Sequence, residues 1–183
     1  MTRTNILLTG MAAVWLAASG FSLSAQDKYT VKVPGGLAFA EFKGYESWHA
    51  IGISRNDRVM AVILGNPVMI EAYQAGIPAN GKPVPDGAKM AKVHWRPKAN
   101  AFFADTSGPG ELVNVDFMVK DSKRFADSGG WGYAVFDYNA ASDTFAPGTS
   151  AGMPPQGNDA KCGLACHTLA KAKDYVFTEY GKR

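Results

Sequence analysis

Glu111-Leu112-Val113-Asn114-Val115-Asp116-Phe117-Met118-Val119 is the clearest strand of the chain. Apolar residues, several β-branched, recur at every second position, the period of a strand rather than of a helix. Alternation places Val113, Val115, Phe117 and Val119 on one face. Leu112, Asn114, Asp116 and Met118 share the other, less apolar face. Working outward, residues 88–95 form another strand, with Met90, Lys92 and His94 on one side and Ala91, Val93 and Trp95 on the other. Residues 58–64 are a short β-branched run bounded by Gly65-Asn66, the mark of a buried strand. Asn66 caps a helix that begins at Pro67, turns Met69, Ile70 and Tyr73 inward and ends at Gly76. Residues 45–54 read as a strand or strand-like arm, and residues 77–87, with three prolines and two glycines, as loop. Beyond the central strand, 106–110 reads as a turn behind it, 120–126 as a short helix broken by Gly129-Gly130, 131–138 as the last strand and 146–158 as a connecting loop. Four or five strands joined by hairpins and short helices indicate an α+β domain built mainly on an antiparallel β-sheet.

The two cysteines of the chain lie close together, in Cys162-Gly163-Leu164-Ala165-Cys166-His167. Two thiols followed at once by an imidazole suit covalent haem attachment: each thiol forms a thioether and the histidine coordinates iron. The usual spacing is Cys-x-x-Cys-His. The extra residue here implies a bulged loop between the thioethers. A small disulfide and part of a metal site are the alternatives. A structural zinc site wants four ligands, and the other histidines are His49 and His94. The run follows a β domain, so a haem is expected to pack against one sheet face.

Arg3, an apolar stretch from Ile6 to Ala18 and small residues ending at Ser24-Ala25 read as a secretory signal peptide over residues 1–25. Its removal leaves 158 residues (26–183), one ordinary domain, and lowers the net charge from +3 to +2 by loss of Arg3. So small a charge gives no reason to expect nucleic acid or an anionic membrane as partner. The expected location is the periplasm, where both haem attachment and disulfides are compatible with export.

The chain resembles the cytochrome P-460 family, which includes the β-type cytochromes c′. The likeness is carried by Val62-Ile63-Leu64-Gly65-Asn66 and by Asp86-Gly87-Ala88-Lys89-Met90-Ala91-Lys92. It continues in Met118-Val119-Lys120-Asp121-Ser122-Lys123-Arg124-Phe125-Ala126-Asp127 with Gly129-Gly130-Trp131-Gly132, and in the Cys162 to His167 run with Asp174-Tyr175-Val176-Phe177-Thr178. The resemblance implies one covalent haem c per chain, His167 as the proximal iron ligand, an open distal position and a homodimer. It also implies one of two activities. In the founding members a lysine is bonded to the porphyrin edge and hydroxylamine is oxidised; that lysine matches Lys92. Bond formation needs a neutral amine, which burial beside the ring would favour. The acidic residue of those members, typically Glu, matches Asp116, which could accept protons from a small nitrogen substrate. Asp is one methylene shorter. In the β-type cytochromes c′ the bond is absent and the haem binds nitric oxide or a similar gas. Many relatives carry Arg in the strand after Gly-Gly-Trp, where this chain has Val135.

The plain alternatives are a solvent-facing Lys92 and Asp116. His94 is a possible pocket residue beside Lys92, and Met118 reads as packing. Phe102-Phe103 and Trp131 are candidates for core or loop anchors, or for an aromatic cap over a ligand. Met153 as a second iron ligand would make the protein an electron carrier instead. An enzyme would also need a redox partner.

Overall fold

The structure, a computed structural model, describes residues 26–33, 36–103, 105–148 and 158–183, with side chains in the last range from Gly163 onward. Six strands form one sheet: β1 (His49–Arg55), β2 (Met60–Gly65), β3 (Lys89–Ala99), β4 (Ser107–Lys120), β5 (Trp131–Asn139) and β6 (Thr144–Pro147). They lie in sequence order and every neighbouring pair is antiparallel. Helix α1 (Pro67–Gln74) bridges β2 and β3, and α2 (Asn158–His167) follows the sheet. The fold is therefore α+β and mainly antiparallel β, as the residue pattern indicates.

The Asn66 cap is formed as expected: its side chain accepts from Met69 N–H at 3.1 Å, with Pro67 in the first turn and Gly76 at φ +78 beyond the end. Other elements differ from the sequence reading. Tyr45–Ser47 is a 3-10 turn, so the first strand begins at His49. The turn expected at 106–110 belongs largely to β4, which pairs Ser107 with Ala99 and Pro109 with Pro97. The ladder is already interrupted there by register shifts, and prolines are tolerated where donors are not required. One shift falls between His94 and Trp95, which pair with Asn114 and Leu112, so Val113 is an extra residue. The bulge moves Leu112 onto the face of Val115, where it packs on the aromatic core.

The helix expected at 120–126 is absent apart from a 3-10 turn at Ala126–Ser128. Side chains satisfy this backbone instead: Asp121 accepts from Lys123 and Arg124 N–H, and Asp86 accepts from Ser122 N–H and Oγ–H. The strand at 131–138 is not the last. β6 adds along it, and the Gln26 amide pairs with both backbone groups of Phe145.

Each sheet face has its own core. Val31, Val33, Leu37, Phe39 and Phe42, from short N-terminal turns, cover Val93, Val115, Phe117 and Phe136 on one face. Met69 and Ile70 of α1 and Val176 of the C-terminal tail join Ile63, Met90, Met118, Trp131 and Tyr133 on the other.

Candidate functional site

The second face holds a cavity of ≈ 520 Å³ lined chiefly by β1–β5, α2 and the tail. That size falls in the range of small-molecule and cofactor sites. Register places its residues. Met90 pairs with Met118, Lys92 with Asp116 and His94 with Asn114 across β3 and β4. Ile63 faces Lys92 from β2, while Tyr133 and Val135 face Met118 and Asp116 from β5. Lys92, Asp116 and His167 all line this one cavity, with Met118, Tyr133, Val135, Val176 and Phe177 supplying apolar wall.

His167 ends α2. Its ring lies between Tyr133 and Phe177, at centroid distances of 5.2 and 4.9 Å. Nδ1 is 2.6 Å from the carbonyl oxygen of Tyr175, which can only accept, so Nδ1 carries the proton. Nε2 of the neutral ring then keeps its lone pair. Burial pushes the imidazole below its ordinary value, the Tyr175 carbonyl opposes this, and the Lys92 ammonium lowers it further. A neutral ring with a fixed Nδ1–H is the form in which histidine binds a metal.

Cys166 is an exposed free thiol beside it. The backbone over Asn158–His167 is α-helix, in which a spacing of four residues is about one turn. The Cys162 side chain, Met153 and the segment 1–25 lie outside the described residues. Among the described residues no three His, Cys, Asp or Glu side chains converge on a bare-metal site.

A polar chain sits on the same sheet face. His94 Nδ1 lies 2.7 Å from Asn114 Oδ1, and Asn114 Nδ2–H donates to Asp116 Oδ1 at 2.9 Å. With the amide so oriented, His94 Nδ1 is the donor. Burial lowers His94 from its ordinary value, Lys92 lowers it further and the Asn114 bond opposes both. His94 does not line the cavity. It backs Asp116 through Asn114. His49 is exposed at the start of β1. Phe102 and Phe103 are 90% and 67% exposed on the β3–β4 connection and so neither core nor cavity residues, whereas Trp131 is fully buried. The physical reason is reach: the long hairpin carries residues 102 and 103 past the packed part of the sheet.

The residues alone assign no role to Asn114, Tyr133 or Tyr175. Alternation puts Asn114 on the Asp116 face, and the sheet register sets Tyr133 opposite Met118. No local signal marks a backbone carbonyl such as that of Tyr175.

The family model of cytochrome P460 matches residues 42–178, which span all six strands and both helices. The chain belongs to the cytochrome P460 family. No curated protein matches the sequence. Membership of the cytochrome P460 family implies a haem cofactor. The residues present fit one: an apolar cavity of suitable size, an imidazole with Nε2 open, and a free thiol adjacent in sequence. The Tyr133 hydroxyl supports the fit, because this residue lines the cavity and its buried hydroxyl has no hydrogen-bond partner among the described residues. Such a group is costly unless a bound molecule completes it. Burial also raises the Tyr133 phenol well above its ordinary value, so it remains a donor.

Proposed function

We propose that this is an exported mono-haem c protein that carries out redox chemistry on a small nitrogen species, of the hydroxylamine-oxidation type. Cys162 and Cys166 would hold the haem covalently, and His167 would coordinate its iron through Nε2. A haem held there supplies an iron centre that takes a small ligand and exchanges electrons. The protein's own part is acid–base work and orientation. Asp116 accepts a proton from the bound substrate, while Asn114 Nδ2–H fixes one of its oxygens at 2.9 Å. Lys92, opposite Asp116, would be the residue bonded to the ring edge, an N–C bond formed at the expense of one amine N–H and one ring C–H with two electrons passed to the redox partner. The apolar walls from Ile63, Met118 and Phe177 limit water at the reacting ligand. The observation that carries this reading is the cross-strand pair Lys92–Asp116 in the cavity that also contains His167.

A second reading is uptake of nitric oxide or another diatomic gas. Val135 favours it: this residue lines the cavity opposite Asp116, where many relatives resembling this chain carry Arg. The less polar wall suits an uncharged gas. In either case the working protein would be a periplasmic homodimer after removal of residues 1–25, and the enzyme would pass electrons to a redox partner.

The deciding measurement is intact and peptide mass of haem-loaded protein with its ferrous absorption spectrum. Haem on the Cys162–Cys166 peptide and bridged to Lys92 supports the enzyme. Haem on the cysteines alone, with a high-spin spectrum, moves the protein to the gas-binding reading. Absence of covalent haem sinks both.

A further inference from the structure

The segment that holds His167 is itself held by a buried ion pair. The carbonyl that meets His167 Nδ1 belongs to Tyr175, which follows Asp174. Both residues are left-handed, with φ of 47° and 64°, and neither is glycine. Two such residues in succession persist only where their surroundings over-determine them. Here Asp174 is anchored from three places. Lys120 Nζ donates to both carboxylate oxygens at 2.9 Å, and Val84 N–H donates to Oδ2 at 2.8 Å. The Trp131 indole N–H donates to the Asp174 carbonyl at 2.8 Å. Lys120 is buried, and its Nζ also donates to the Gly129 carbonyl at 3.0 Å.

Glycines make the room. A Cβ on Gly129 would lie 2.2 Å from the Tyr175 ring, and one on Gly130 would lie 3.2 Å from Lys120 Cε and Nζ. Lys120, Gly129-Gly130-Trp131 and Asp174-Tyr175 therefore interlock as one unit, although the chain separates them. A buried ion pair is weak evidence for stability, because desolvation offsets the attraction. What this one does is fix a single backbone geometry.

We propose that Lys120, Trp131 and Asp174 are positioning residues for the His167 imidazole. They hold the Tyr175 carbonyl that orients the ring, and through it they set the basicity of Nε2. The proposal rests on the reading of His167 as the iron ligand.

The test uses haem-loaded protein in wild-type form and as Asp174→Asn, Lys120→Met/Asp174→Asn and Trp131→Phe. The iron–imidazole stretching band of the ferrous form reports the strength of the Nδ1–H bond. Exchange of the His167 Nδ1 proton, followed by NMR in the diamagnetic ferrous carbonyl form, reports its protection. Asp174→Asn is expected to lower the band frequency and to speed exchange about tenfold, the scale of one hydrogen bond. The double variant leaves neither charge buried alone, so its melting temperature recovers relative to Asp174→Asn while both signatures stay shifted. Trp131→Phe alters no charge and shifts both signatures in the same direction by less; it keeps the test readable if the charge variants fail to fold. Wild-type signatures in a folded double variant or in Trp131→Phe overturn the positioning role. Failure of the ligand reading looks different: wild-type protein would lack the band, or His167→Ala would retain it, and both ideas would fall together.

Discussion

The two faces of the sheet use the same strands for opposite ends. On one, Phe39 meets the rings of Tyr29, Tyr45, Phe117, Phe136 and Phe145 at centroid distances between 4.9 and 6.0 Å, and Phe42 stacks on Phe117 at 4.0 Å. On the other, a ≈ 520 Å³ cavity lined by the strands, α2 and the tail admits Lys92, Asp116 and His167. A strand side-chain period of two makes this possible. Asp116 faces the cavity while its neighbours Val115 and Phe117 are buried in the aromatic core. Close packing on one side thus provides the rigidity that lets the other side keep space and polar groups.

The largest expected effect tests the packed face. Phe39→Ala removes a fully buried ring from the centre of five others. It should cost about 3–5 kcal/mol in urea unfolding. Molecules that remain folded should keep the wild-type haem spectrum. A loss below about 1 kcal/mol would mean that the N-terminal turns can leave without consequence.

Tyr133→Phe should act with the opposite sign. The hydroxyl is buried and has no hydrogen-bond partner among the described residues, and leaving such a group unmade typically costs about 1–3 kcal/mol. Haem-free protein should therefore gain about 1 kcal/mol from its removal. Destabilisation of the haem-free form by the same change would show that the hydroxyl is already satisfied, and the contrast between a closed and an incomplete face would fail.

How much of this could be read from the residues divides along the same line. Alternation over 88–95 and 111–119 places Lys92 and Asp116 on one face, and the sheet pairs them directly. Local periodicity carries that information. Leu112 was misplaced because a single extra residue at Val113 inverts the alternation beyond it, and nothing in Glu111-Leu112-Val113 announces a bulge. The helix expected after Lys120 failed because Asp86, far away in sequence, completes Ser122. The core residues from Val31 to Phe42 showed no strand or helix period, since their local elements, a single bridge between Lys32 and Ala38 and the 3-10 turn Phe39–Phe42, are too short to carry one. The cavity itself followed from no local rule. It exists because the tail returns across the sheet, with Tyr73 Oη donating to the Thr178 carbonyl at 2.8 Å and Thr178 filling the space over Gly52.

A smaller effect concerns the border of the cavity. His94 is lowered by burial first and by Lys92 next, with Asn114 opposing. The charged groups facing it are Lys92 on its own strand and Asp116 on β4, while its β2 partner Ala61 contributes none. Well above its ordinary value of about 6.5 the ring is neutral whether the chain is folded or not, and pH has no leverage through it. As pH falls through that value, the unfolded chain takes up the proton before the folded one, so stability declines until the lower folded value has been passed. The urea midpoint of wild type should drop between about pH 7.5 and pH 5, and His94→Gln should drop less. Equal drops would assign the acid sensitivity to other groups.

The smallest expected change in stability belongs to the residues proposed to matter most for chemistry. Lys92 and Asp116 are only partly buried, with Asp116 retaining 37% of its side-chain exposure, and neither belongs to the core of either face among the described residues. Lys92→Met and Asp116→Asn should each alter unfolding free energy by no more than about 0.5 kcal/mol. Asn at position 116 can still accept from the Asn114 amide, so the polar chain from His94 keeps its order while the cavity loses a base. Lys92→Met removes the amine but preserves an unbranched apolar stem of similar length. If the reading is right, Lys92→Met abolishes any mass link between haem and strand β3, and Asp116→Asn slows turnover with hydroxylamine by about 10²-fold or more while haem loading is unchanged. Comparable stability losses at these positions and at Phe39 would erase the distinction between the faces. Unchanged chemistry in both variants, with haem still on the cysteines, would leave the cavity to gas binding and make the Lys92–Asp116 pairing a property of the sheet alone.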